Sequence, residues 1–325
     1  MFKTQLIHIE RDGGFMTVLI TGATGLIGRA LAQSYLQDRV SISALARDTN
    51  VVTKMFGSSV KTYKWDPVSD AIPPAAFDGV HSVFHLMGEP VGGRWTDDKR
   101  SRIIASRVTA AQKIADGLRG RPVRFISASS FGIYPGKHGV VYDETDALAP
   151  PVTEIQTILQ NWETAAFSAV SRNTHVNILR FGMVCAPKGY PKRLVRLFKR
   201  GLGFVAGRGD QIVPIVSLDD AVGMLRWAAS GQAGNGPINC VSPQLPTFRN
   251  VAGIIAQCLG KQIRFSLPEW LARLALGRSA DYFLLSYKIK PRQALDRGYN
   301  FRMSDPEQIL RSAILGPEFV TEAII

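Results

Sequence analysis

The sequence predicts an α/β fold: a Rossmann-type, doubly wound parallel sheet with a small C-terminal α/β substrate lobe. Three observations carry that prediction. Short apolar strands alternate with amphipathic helices from Thr17 to Phe181, a pattern that specifies a parallel sheet covered on both faces. A glycine-rich turn joins the first strand to the first helix. Beyond Arg180 the alternation loosens, and the charge balance changes with it. The chain has 325 residues, 46% of them hydrophobic and 20% charged, with a mean hydropathy of +0.03. This is enough apolar material for a core, and it excludes a disordered, collagen-like or disulfide-stapled chain. No apolar run reaches the roughly 20 residues that a spanning helix needs. At roughly 150 residues per domain, the length suggests about two domains.

The elements follow in order. Val18-Leu19-Ile20 reads as a short buried strand. Leu26, Ile27, Ala30, Leu31 and Tyr35 have helical spacing, which predicts a helix over Leu26 to Leu36. Ser41 to Ala46, Val60 to Lys64 and Val80 to Leu86 read as the second, third and fourth strands. A long helix is expected from Asp97 to about Leu118. Thr96 suits its N-cap, Asp97 and Asp98 suit its positive start, and Ile104, Val108, Ala111, Ala115 and Leu118 form one apolar stripe. Val123 to Ala128 is the fifth strand, Gln156 to Val170 a further helix, and Val176 to Phe181 the sixth strand.

The turn Thr21-Gly22-Ala23-Thr24-Gly25-Leu26-Ile27-Gly28 lies between strand and helix, where a dinucleotide fingerprint belongs. One glycine permits the tight turn, one lets backbone approach a diphosphate, and one lets helix and strand pack closely. The helix start then offers unpaired N–H groups to the phosphates. Arg47 ends the second strand. An acid there would bond a ribose 2′-hydroxyl, whereas a cation suits a 2′-phosphate, so NADP is expected in preference to NAD. The plain alternative is a solvated strand-end charge beside Asp48. Asp66, after the third strand, is a candidate for the adenine amino group or else a turn-former before Pro67.

These assignments set the expected boundaries. Residues 1–15 form an N-terminal extension, with Met16 as an alternative start. Residues 16–185 form the NADP-binding domain, to which 213–240 returns. Residues 186–212 and 241–312 form the substrate or docking lobe, and 313–325 a tail. Glu10 and Asp12 make the extension a poor mitochondrial presequence.

The net charge of +13 is concentrated. From Arg180 to Arg302 there are 19 Lys and Arg against 6 Asp and Glu, and the remainder of the chain is balanced. A basic C-terminal half fits an anionic substrate, or an acidic or nucleic-acid partner; otherwise it is a solvated face. The segment Pro191 to Arg200 sharpens this. Leu194, Val195, Leu197 and Phe198 alternate with Lys192, Arg193, Arg196, Lys199 and Arg200 in an amphipathic basic helix. Docking onto a large acidic assembly, or simple solvation, ranks above clamping one small anion. Nucleic acid is disfavoured because no recognised module is present. Cys185, Cys240 and Cys258 lie far apart, so reduced thiols inside a cell are expected, and the pI of about 9.9 points to the mitochondrial matrix ahead of the cytoplasm. Five histidines show no metal spacing, and no metal is expected.

The glycine turn, Arg47 and the strand pattern resemble the extended, or atypical, short-chain dehydrogenases. Gly88-Glu89-Pro90, Gly93-Arg94-Trp95-Thr96, Lys99 and Ser106-Arg107 are similar to the nucleoside-diphosphate-sugar epimerase-like subfamily. So are Trp162-Glu163, Gly207-x-Gly209-x-Gln211, Asp219-Asp220, and Lys290-Pro291-Arg292 through Gly298-Tyr299-Asn300-Phe301. The resemblance covers about Met16 to Leu310. It implies that Leu86, Met87 and Gly88 lie beside the cofactor ribose. It also implies that Ser129 and Ser130 stand where an active-site serine is kept, and that Arg180 to Val184 turn near the nicotinamide.

Such enzymes normally carry Tyr-x-x-x-Lys on the helix after the serine. The lysine lowers the tyrosine pKa so that it can exchange a proton with substrate. Pro151 to Val170 contains neither tyrosine nor lysine, a departure the subfamily shares. Tyr134, four residues after Ser130, is the substitute candidate for proton transfer, and its alternative is a packing role. His85 is expected to be a buried strand histidine, and Asp219-Asp220 a structural lobe junction. The expected activity is therefore an NADP(H)-dependent oxidoreductase or epimerase-like enzyme of unknown substrate. The alternative is a subunit that holds NADPH without turnover and docks onto a larger complex.

Overall fold

The computed structural model describes residues 16–276 and 280–316; the expected extension at 1–15 and most of the expected tail lie outside them. Seven parallel strands form the central sheet: β1 (Thr17–Thr21), β2 (Ser41–Ala46), β3 (Val60–Lys64), β4 (Val80–His85), β5 (Arg124–Ser130), β6 (His175–Phe181) and β7 (Gly236–Cys240). Their order across the sheet is β7-β6-β5-β4-β1-β2-β3, so the topology reverses between β1 and β4. Ligands bind in the crevice at such a switch point, outside the carboxyl ends of the strands.

Alternation along the strands explains the two covering layers. Val18 and Ile20 face one side, with α1 (Leu26–Gln37), and Leu19 faces the other; all three are fully buried. Burying one such side chain contributes roughly 1.5–3 kcal/mol. The sequence reading missed α2 (Thr49–Phe56), an eight-residue helix whose N-cap is Asp48. The long helix is one continuous rod made of α3 (Asp97–Ile104), a π-helical turn at Ala105–Thr109 and α4 (Ala110–Leu118), and Thr96 caps it by accepting from the Lys99 amide. The wide turn inserts one residue, so the stripe slips by one: Ile103 is 0% exposed, whereas the expected Ile104 is 37% exposed.

Further along the chain lie α5 (Glu154–Phe167), α6 (Lys192–Lys199), α7 (Leu218–Ser230) and α8 (Phe248–Leu259). A capping box between Thr153 and Gln156 starts α5. A separate core around Phe198, Phe248, Val251, Ile255 and Leu310 builds the second lobe. Asp220 fastens a later segment of the chain to α7. Its buried carboxylate accepts from the amides of Arg302 (2.7 Å) and Met303 (3.1 Å), which ties the C-terminal segment to α7. Among the described residues no helix is long and apolar enough to cross a membrane.

Candidate functional site

The crevice begins where β1 runs into α1. Gly22 turns the chain at φ +73°, and a Cβ there would fall 2.7 Å from the Met87 amide nitrogen. Gly28 packs the helix onto the turn so closely that its Cβ would lie 2.2 Å from the Gly22 carbonyl oxygen. Gly25 is the extended N-cap residue; it offers no side chain to the helix start, and no acid occupies the first turn. The leading amides of Leu26, Ile27 and Gly28 are therefore left for an outside acceptor. Thr24 and Gly25 are exposed, with Leu26 and Ile27 half-buried beside them.

Thr21 points away from this turn. Its hydroxyl lies 3.0 Å from His85 Nδ1 and accepts from the amides of Leu86 (3.2 Å) and Met87 (3.4 Å). His85 Nε2 donates to the Arg107 carbonyl at 3.3 Å, which leaves Nδ1 to accept from Thr21. Burial pushes the His85 pKa down to about 4, so the ring is neutral, and it packs edge-on against Trp162. Thr21 thus holds the end of β4 in place, and it is the Leu86–Met87 backbone that lies beside Gly22. Gly88 follows against the Arg107 guanidinium, where a Cβ would come within 2.9 Å.

Arg47 is exposed directly after β2 and has no hydrogen-bond or ion-pair partner among the described residues. Its neighbour Asp48 is engaged elsewhere, accepting from the Asn50 amide at 2.9 Å as the cap of α2. Asp66 behaves as a turn-former: its carboxylate accepts from Val68 N at 2.8 Å.

At the other end of the crevice, Ser129, Arg180 and Asn239 stand in register on β5, β6 and β7. They converge on Glu163 and Tyr134. Ser129 Oγ donates to Glu163 at 2.7 Å, and Arg180 grips the same carboxylate through two nitrogens at 2.9 and 2.8 Å. A third Arg180 nitrogen donates to the Tyr134 hydroxyl at 2.7 Å, and that hydroxyl faces Asn239 Oδ1 at 3.0 Å. Burial alone would lower the Arg180 pKa, but the hydrogen bonds and charge of Glu163 outweigh it and hold the guanidinium charged. Glu144 extends the network, accepting from the amides of Asn239 and Arg292.

This geometry corrects two expectations. Tyr134 is 1% exposed, and burial, against the pull of Arg180, pushes its pKa up to about 12. It is a packing residue stacked on Tyr142, and it presents no proton to the crevice. Arg180 is likewise sealed in at 4% exposed and faces Glu163, so it is not available to a cofactor. Ser129 is committed to Glu163. Ser130 differs: it is half-buried and accepts from Gly132 N at 3.3 Å, and its own proton is not used in that bond.

The sequence pattern of the NAD dependent epimerase/dehydratase family matches residues 18–240, from β1 through β7. The chain belongs to that family. A domain of unknown function, DUF1731, matches residues 267–313 in the second lobe. Among relatives, Epimerase family protein ML0860 of Mycobacterium leprae is 29% identical over 92% of this chain and 96% of its own length. The chloroplastic SDR39U1 homolog of Arabidopsis thaliana is 25% identical over 91% and 86%. A crystal structure of human epimerase family protein SDR39U1 with NADPH shares the fold at a TM-score of 0.80 and 24% identity, covering 92% of this chain and 99% of that one.

Within this epimerase/dehydratase fold, the central residue that sequence spacing does not single out is Glu163. It is half of the Trp162-Glu163 motif, and it gathers Ser129 and Arg180. A signal was available: Glu154 and Glu163 are the only charges on α5, and Glu163 sits among apolar neighbours. A lone acid on a buried helix face needs a cation, and Arg180 supplies it.

Proposed function

We propose that the protein is an NADP(H)-dependent oxidoreductase whose substrate meets the cofactor at the carboxyl ends of β4 and β5. The observation that carries this reading is the uncapped start of α1 together with Arg47, directly after β2, which has no partner among the described residues. The residues fit the group. A Cβ on Gly25 would meet only the Gly22 carbonyl oxygen, at 3.2 Å, leaving the amide-rich side of the turn open to a diphosphate. The amides of Leu26, Ile27 and Gly28 would donate to that diphosphate, and Arg47 to the 2′-phosphate. When bound, the cofactor supplies or accepts a hydride. Ser130 is the hydroxyl at the end of β5 able to hydrogen-bond a substrate oxygen. The NADPH in the human SDR39U1 crystal supports the same reading.

A second reading has its own observation. Tyr134 is buried, and α5 bears neither tyrosine nor lysine, so the usual proton relay is missing. On α6 and at its C-cap, Arg193, Arg196, Lys199 and Arg200 are exposed, with no ion-pair partner among the described residues. Both facts suit a subunit that holds NADPH without turnover and docks on an acidic partner. Calorimetric titration with NADPH and NADH tests the shared part: NADPH is expected to bind more tightly, and tighter NADH binding would overturn the role given to Arg47. Oxidation of NADPH with any member of a carbonyl panel then favours the enzyme. Co-purification at fixed stoichiometry without turnover favours the subunit.

A further inference from the structure

The loops after β4 and β5 open onto a cavity of about 430 Å³. Val91 and Trp95 come from the first loop, Pro135 from the second, Ile155 from the first turn of α5, and Leu285 and Tyr287 from the second lobe. The volume lies within the roughly 300–1,000 Å³ of small-molecule sites.

The polar residues in the wall are already engaged. Gln156 Oε1 accepts from the amides of Val152 (3.0 Å) and Thr153 (3.2 Å), and its nitrogen donates to the Tyr134 carbonyl at 3.5 Å. Thr153 Oγ1 accepts from Gln156 N at 3.3 Å. The Trp95 N–H donates to the Val91 carbonyl at 2.8 Å. Two carboxylates reach the cavity, and each has a guanidinium partner: Glu154 pairs with Arg100, and Asp281 with Arg273. Among the described residues no lysine or arginine lines the wall.

This lining decides against a sugar nucleotide. A diphosphate needs cations or free N–H donors, and sugar hydroxyls need unpaired polar groups. Here, among the described residues, the only formal charges are negative, while indole, phenol, proline and aliphatic side chains offer faces for a ring. We propose that this cavity takes a small uncharged molecule built on an aromatic or aliphatic ring. Calling that molecule the substrate rests on the cofactor reading given above; its binding to the cavity does not.

The test uses the full chain loaded with NADPH and titrated with prodan, a neutral naphthalene ketone whose emission moves to the blue in apolar surroundings. Calorimetry with UDP-glucose runs in parallel. The expected result is saturable one-to-one prodan binding, no heat from UDP-glucose, and no displacement of prodan by it. Ile155→Trp, which fills the cavity, should weaken prodan about tenfold or more while NADPH binding is retained. Prodan that fails to bind, prodan binding that Ile155→Trp leaves unaltered, or UDP-glucose that binds and displaces prodan would each overturn the proposal. The displacement measurement needs no variant, so a misfolded Ile155→Trp does not rescue it. Failure of the cofactor reading shows separately, as an absence of NADPH binding.

Discussion

The two ends of the crevice treat their polar groups in opposite ways. At the start of α1 the chain withholds partners: the N-cap is a glycine, the first turn has no acid, and Arg47 has no partner among the described residues. At the ends of β5 and β6 it supplies them: Ser129, Glu163, Arg180, Tyr134 and Asn239 bond to one another inside the fold. Donors left open at a crevice are completed by a ligand, whereas a closed set of buried hydrogen bonds holds a scaffold together. On the function proposed above, recognition belongs to the first end and rigidity to most of the second, with Ser130 as the exception.

The largest effect should come from the closed end. Glu163→Ala leaves the Arg180 guanidinium buried without its counter-ion and should cost about 3–5 kcal/mol in chemical denaturation. A loss below about 1 kcal/mol would mean that the network is not what holds β5, β6 and α5 together. Next comes pH. Burial holds His85 at about 4 in the folded chain, against about 6.5 when unfolded. As pH falls, the unfolded state takes up that proton first. Stability is therefore full above pH 6.5 and declines towards pH 4, by up to about 3 kcal/mol from this group. Denaturation curves across that range should show His85→Gln, which cannot titrate, with a shallower decline than the native chain.

At the open end, Arg47→Ala should weaken NADPH about 10- to 100-fold and leave NADH unchanged, as expected for the loss of one charge-assisted contact. Equal weakening of both cofactors would move Arg47 from selectivity to general attraction. The smallest effect belongs to Ser130→Ala. Its stability should stay within about 0.5 kcal/mol of the native chain in thermal melts, because the hydroxyl is only half-buried. A larger loss would return Ser130 to the scaffold.

The difference between the two ends also governs what could be read from the sequence. Gly22, Gly25 and Gly28 act within seven residues of chain, so their spacing alone exposes the turn. Ser129, Arg180 and Asn239 become neighbours only when β5, β6 and β7 pair, and nothing local announces that row. Tyr134 follows Ser130 by four residues, a spacing that places it at the crevice if the chain continues outward from β5. A tight 3-10 turn at Phe131–Ile133 instead carries it into the core. The slip from Ile104 to Ile103 has a similar origin, since periodicity assumes a uniform helix and the π-helical turn breaks that assumption.

That wide turn does more than shift a stripe. Ser106 Oγ accepts from the Glu89 amide, and Arg107 reaches the Glu89 carbonyl, so the bulge is where the rod grips the loop that leads to Val91 and Trp95. Removing one residue between 105 and 109 would restore an ideal helix, and in doing so would rotate its first two turns by about 100° against the rest. The irregularity works as a shim: it lets one helix match the hydrophobic interior along one stretch and the rim of the cavity along the other.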